Sequence, residues 1–136
     1  MIGPRSILLD AEALSALARG DRRMYAWAEV ARRTDSIMYA SAATLAEVTD
    51  GSPRDAQVRR VTKALRVVDV DAYIGFRAGE LRSQAARGRC KSRDLIVDAL
   101  VAATATGLAQ PTVVLTSDPD DLDLLLADHP VQVEGI

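Results

Sequence analysis

Short apolar runs alternate with longer helical stretches along this sequence, and that alternation constrains the fold more than any other feature. Ser6-Ile7-Leu8-Leu9, Ile37-Met38-Tyr39-Ala40, Leu65 to Val70 and Thr112-Val113-Val114-Leu115 read as short buried strands, with Val131-Gln132-Val133 as an edge strand. Between them lie helices. Ala11 to Arg19 is rich in Ala and Leu and stops at Gly20. Arg22 to Arg33 carries Met24, Trp27, Ala28 and Ala31 on one face. Ser41 can cap a helix from Ala42 to about Val48. Asp55 to Ala64 and Ala72 to Ala86 follow, with Gly75 and Gly79 weakening the latter or permitting close packing. An apolar helix starting at Ser92 or Arg93 runs to about Thr106, and Pro119 opens one through about Ala127. A strand–helix–strand order returns each strand parallel to the last. The expected fold class is therefore α/β: an αβα sandwich with a mainly parallel central sheet of four to five strands, covered on both faces.

With 136 residues, no internal repeat and no low-complexity tract, the chain is expected to form one domain over residues 1–136. Its only cysteine, Cys90, excludes an intrachain disulfide and fits a reducing compartment. No stretch approaches the roughly 20 apolar residues of a membrane helix, and the first residues do not read as a signal peptide. A cytoplasmic protein with no membrane partner is expected. The net charge of −2 does not mark a nucleic-acid binder, but its distribution is uneven. Basic groups recur at Arg22/Arg23/Arg32/Arg33, at Arg54/Arg59/Arg60/Lys63/Arg66 and at Arg82/Arg87/Arg89/Lys91/Arg93, while acids gather at 118–128. Basic flanks around an acidic centre suit a phosphodiester held by its backbone; solvated helix faces would look the same.

Four acids fall where an open α/β sheet gathers its functional groups, beyond the carboxyl ends of the strands. Asp10 follows the first strand and Asp118 follows the strand at 112–115. Glu47 lies on the helix after the second strand, on a face that reads as buried through Ala43, Leu45, Ala46 and Val48. Asp98 interrupts Leu95-Ile96-Val97-Asp98-Ala99-Leu100-Val101-Ala102-Ala103, where an uncompensated charge is costly. Two carboxylates about 5 Å apart repel by roughly 3 kcal/mol at an effective dielectric near 20. Four cannot share a site as anions without a cation or bound protons. Oxygen donors with no His or Cys nearby favour Mg²⁺ or Mn²⁺ over Zn²⁺, and such an ion can activate water against a phosphoryl group. Each acid also has a simpler reading. Asp10 and Asp118 can cap helices, Glu47 can face solvent, and Asp98 can pair with an arginine.

The segments Leu8-Leu9-Asp10-Ala11-Glu12-Ala13-Leu14, Thr44-Leu45-Ala46-Glu47-Val48, Asp94-Leu95-Ile96-Val97-Asp98-Ala99-Leu100-Val101-Ala102-Ala103-Thr104-Ala105 and Leu115-Thr116-Ser117-Asp118-Pro119-Asp120-Asp121-Leu122 together resemble PIN domains, most nearly the VapC-type toxins of bacterial toxin–antitoxin pairs. The resemblance implies a single PIN-like nuclease domain that cleaves RNA with Mg²⁺ (or Mn²⁺), a homodimer, and a small VapB-like antitoxin that blocks the site. By motif match, Asp10, Glu47, Asp98 and Asp118 take the catalytic positions, with Asp10, Asp98 and Asp118 as metal ligands. Asp121 and Thr116 match supporting positions. Many members carry Thr or Ser directly after the first acid; this chain has Ala11, which removes a hydroxyl but no carboxylate.

Asp94 lies one turn before Asp98 and can reach an ion's outer shell, though a first-turn position favourable to the helix dipole explains it better. His129, Cys90 and Trp27 read as a loop residue, an incidental thiol and a core or interface side chain. The stripe of the 22–33 helix offers a surface for dimerisation. Three rivals stay open: a PIN nuclease in RNA processing, a PIN fold that binds without catalysis, and a receiver-like module. The last normally has two adjacent acids near its first strand, and Asp10 is followed by alanine.

Overall fold

In a computed structural model, which describes residues 3–86 and 95–136, five parallel strands form one sheet in the order β3-β2-β1-β4-β5. The strands are β1 (Ser6–Leu9), β2 (Ile37–Ser41), β3 (Arg66–Val68), β4 (Thr112–Thr116) and β5 (Val131–Gly135). The helices are α1 (Ala11–Ala18), α2 (Arg22–Thr34), α3 (Ala42–Val48), α4 (Asp55–Thr62), α5 (Ala72–Ala86), α6 (Ile96–Thr106) and α7 (Pro119–Leu125). The sheet is thus wholly parallel, and 131–135 is a true edge strand.

Side chains alternate across a strand, and β1 divides the core accordingly. Ile7 and Leu9 face a cluster with Leu14, Leu17 and Met24 from α1 and α2, joined by Val113 and Leu115 of β4. Leu8 and Val114 face the opposite cluster, with Leu81 of α5, Ala99 and Ala102 of α6 and Leu122 of α7. Each large side chain removed from water in this way contributes about 1.5–3 kcal/mol. That is why β1 is apolar at every position after Ser6 although it alternates between faces.

Local signals set the helix ends. Asp21 caps α2 by accepting from the Arg23 N–H at 2.8 Å, and Ser41 caps α3 through the Ala43 N–H at 3.1 Å. Gly20, with φ +81°, supplies the left-handed turn after α1. Several expectations shift. The third strand stops at Val68 because Asp71 turns the chain, its carboxylate accepting from the Ile74 N–H at 2.9 Å at the start of α5. On α3 the buried side chain is Thr44, whereas Ala43, Leu45 and Val48 are half-buried and Ala46 is exposed. Nothing among the described residues stands within 4 Å of a Cβ placed on Gly75 or Gly79, so neither glycine serves close packing. The stripe of α2 turns inward: Met24 and Ala31 are buried and Trp27 packs against the core. Among the described residues no helix is long and apolar enough to cross a membrane.

Candidate active site

Strand order reverses between β1 and β4, so the crevice at their carboxyl ends is the natural site of this sheet. Register brings Leu9 opposite Leu115 there, and the Asp10 N–H donates to the Leu115 carbonyl at 3.1 Å. Asp10 is the N-cap of α1, its carboxylate accepting from the Ala13 N–H at 3.0 Å. It also accepts from the Thr116 hydroxyl and from the Ser117 backbone. Burial pushes the Asp10 carboxyl above its ordinary value; these three hydrogen bonds oppose that rise, and the neighbouring Glu12 charge adds to it. Capping and a role at the rim are compatible, because a carboxylate accepts at two oxygens.

Glu47 occupies the last turn of α3, exposed rather than on a buried face. Its carboxyl is nevertheless raised, first by partial burial, then by the negative charges of Asp98 and Asp10. Glu47 therefore feels the charges of acids from two other elements at this rim. Asp98 lies nearer a helix start than the apolar run implies. Leu95 is the N-cap of α6, so Asp98 falls in the first turn, half-exposed, where negative charge complements the helix dipole. Glu47 and Asp98 together line a cavity of about 260 Å³ with Ile96 and Val97.

Asp118 and Asp121 stand on the β4 side. Asp118 is the N-cap residue of α7 by position, but its side chain makes no capping bond and is exposed. The Asp118 N–H instead donates to the Thr116 hydroxyl oxygen at 3.0 Å. Asp121, in the first turn of α7, is buried. Thr116, also buried, thus joins Asp10 to the backbone of Asp118. Asp94, Cys90 and Arg93 lie outside the described residues. His129 sits in the turn before β5, its Nδ1 3.5 Å from an Arg77 guanidinium nitrogen and away from the acids.

Among the described residues no three His, Cys, Asp or Glu side chains stand close enough to hold an ion as they are. The donor chemistry still fits a hard divalent cation: oxygen ligands, and a glutamate whose ionised form is opposed by two neighbouring acids. Sequence reasoning missed the Ser117 N–H as a partner of Asp10. The signal was the strand register, since pairing Leu9 with Leu115 places the residues after β4 beside Asp10.

The PIN domain family model matches residues 7–124, and the chain belongs to that family. Among solved structures it is similar to VapBC2 from Rickettsia felis bound to a DNA fragment from their promoter, with a TM-score of 0.75 and 16% identity over 96% of this chain and 98% of that one. It is also similar to FitAcB from Neisseria gonorrhoeae (TM-score 0.65, 23% identity, 93% and 96% covered). VapBC-5 from Mycobacterium tuberculosis, a member of the VapBC family of toxin–antitoxin systems, matches with a TM-score of 0.60 and 22% identity over 98% and 100% of the two chains. At these identities the likeness is one of fold. No curated protein sequence matches the chain.

Proposed function

We propose that this PIN domain is a Mg²⁺- or Mn²⁺-dependent endoribonuclease and the toxin of a VapBC-type toxin–antitoxin pair. The observation that carries the reading is that Glu47 of α3 and Asp98 of α6 line one cavity, with Asp10 at the end of β1 close enough for its charge to act on Glu47. In this reading Asp10, Asp98 and Asp118 hold the ion directly or through water, and Glu47 completes the site or orients a water. Thr116 fixes the Asp10 carboxylate, and buried Asp121 supports the α7 side. When bound, the cation supplies Lewis-acid stabilisation of charge on the phosphoryl group and makes water a better nucleophile at neutral pH.

Two partners belong to the same reading. A groove of about 710 Å³ between α2, α4 and β2 has an apolar floor, including Leu17, Met38 and Leu65, and a rim carrying Arg60, Lys63 and Arg66. Its charge fits an acidic, amphipathic segment of a small VapB-like antitoxin, a partner also suggested by the toxin–antitoxin neighbours. A second copy of the chain would pair through α5, where Tyr73 and Phe76 project on one face with 69% and 79% of their surface exposed.

The test is cleavage of single-stranded RNA by purified protein with Mg²⁺, with Mn²⁺ and with chelator, the products mapped for 5′-phosphate and 3′-hydroxyl ends. Asp98→Asn is expected to abolish cleavage while leaving the fold intact. Undiminished cleavage in chelator, or by Asp98→Asn, would overturn the mechanism.

A further inference from the structure

Among the described residues, Glu47 lines two cavities. The first is lined, among the described residues, by Ile96, Val97 and Asp98 as well. The second, of about 340 Å³, lies between α1 and the turn joining α3 to α4; besides Glu47 it is lined by Arg19 and Arg54, the acids Asp50 and Asp55, and Ser15 and Ser52. Ser15 and Arg19 are one turn apart on α1 and so share a face.

The opposite wall is fixed. Asp55, only 7% exposed, accepts from the Asp50 N–H at 3.2 Å and the Gly51 N–H at 2.8 Å. Gly51 takes φ +82°, and the Asp50 carboxylate accepts from the Ser52 N–H at 2.9 Å. The turn that carries Arg54 is therefore ordered by its own hydrogen bonds, and the acids within it are engaged with backbone donors. Arg54 reaches Asp50 only at 3.8 Å, and Arg19 meets Glu12 at 3.0 Å; all four side chains are at least half exposed. Such solvent-screened pairs are weak, so either guanidinium can exchange its carboxylate for a phosphate, which it grips in a forked geometry.

We propose that this cleft is a subsite for the RNA backbone, in which Arg19 and Arg54 bind a phosphate flanking the one attacked beside Glu47. The assignment rests on the ribonuclease reading and deepens it. It gives the strand a path: along α1, from the acids at its N-terminal end to Arg19 at its C-terminal end, about 13 Å away at 1.5 Å per residue. Both arginines act on binding, and neither touches the reacting atoms.

The experiment measures single-stranded RNA binding by fluorescence anisotropy over a range of salt, in an Asp98→Asn background to prevent cutting. Arg19→Ala and Arg54→Ala are each expected to weaken binding about fivefold and to reduce the salt slope by about 0.7, the value for one single-strand phosphate contact. Arg54→Lys should recover part of the loss, and Arg32→Ala, on the outer face of α2 and paired with Glu29, should change neither quantity. In cleavage assays of the otherwise unaltered chain, the two alanine variants should raise KM and keep kcat. Affinity and slope unchanged in both alanine variants would overturn the subsite. Failure of the unaltered chain to cut RNA with Mg²⁺ would instead overturn the nuclease reading, and the binding data would still decide the subsite.

Discussion

The hydroxyl of Thr116 donates to the Asp10 carboxylate while accepting from the Asp118 N–H at 3.0 Å, so one buried side chain ties the end of β1 to the turn after β4. Thr116→Val keeps the shape and removes both bonds. The loss of an acceptor at a buried position is expected to cost about 1–3 kcal/mol in urea denaturation. RNA cleavage should fall as Asp10 loses its support, and Thr116→Ser should restore most of it. Full activity in the valine variant would show that this tie is structural only.

Asp10 and Glu47 are both raised above their ordinary values of 3.8 and 4.5. For a raised carboxyl the folded state holds its proton more tightly than the unfolded state. That contribution to stability is therefore present at low pH and is lost as pH rises through the raised folded pKa. In chelator, Asp10→Asn, which still caps α1, should have a higher melting temperature at neutral pH than the parent chain and a flatter pH profile in this window. Added Mg²⁺ or Mn²⁺ should raise the parent's melting temperature and move the asparagine variant less. Equal shifts in the two would remove Asp10 from the ion's surroundings.

Gly79 sits exposed within α5, and no described atom lies within 4 Å of a Cβ placed on it. Gly79→Ala should therefore stabilise the chain by about 0.5–1 kcal/mol, through helix propensity alone. Thermal denaturation checks this, and a loss of stability would mean that α5 packs closely there.

Phe76 and Tyr73 leave a large apolar surface on α5 facing water. Phe76→Glu is expected to convert a dimer to a monomer in light scattering after gel filtration, with the fold retained by circular dichroism. A dimer that survives the substitution would move the interface elsewhere.

The strand–helix alternation was legible in sequence, as was the place of Asp10 at the end of β1, because short apolar runs are local signals; the exposure of Glu47, expected on a buried face, was not. The end of β3 at Val68 was not, because the competing signal, Asp71 capping α5, acts only once the helix has formed. The inward turn of the α2 stripe and the open space around Gly75 and Gly79 were equally hidden, since both depend on which elements pack against them.

The sequence by itself determined that strands and helices alternate, that the sheet would be parallel and covered on both faces, and that carboxylates follow the strand ends. Only the tertiary structure decided which of those groups meet. Parallel pairing of β1 with β4 set Thr116 and Ser117 against Asp10, and the return of α6 across the sheet brought Asp98 within electrostatic reach of Glu47. The physical reason is range: propensity and periodicity act over a few neighbouring residues, whereas register and helix packing join residues that are scores of positions apart in the chain.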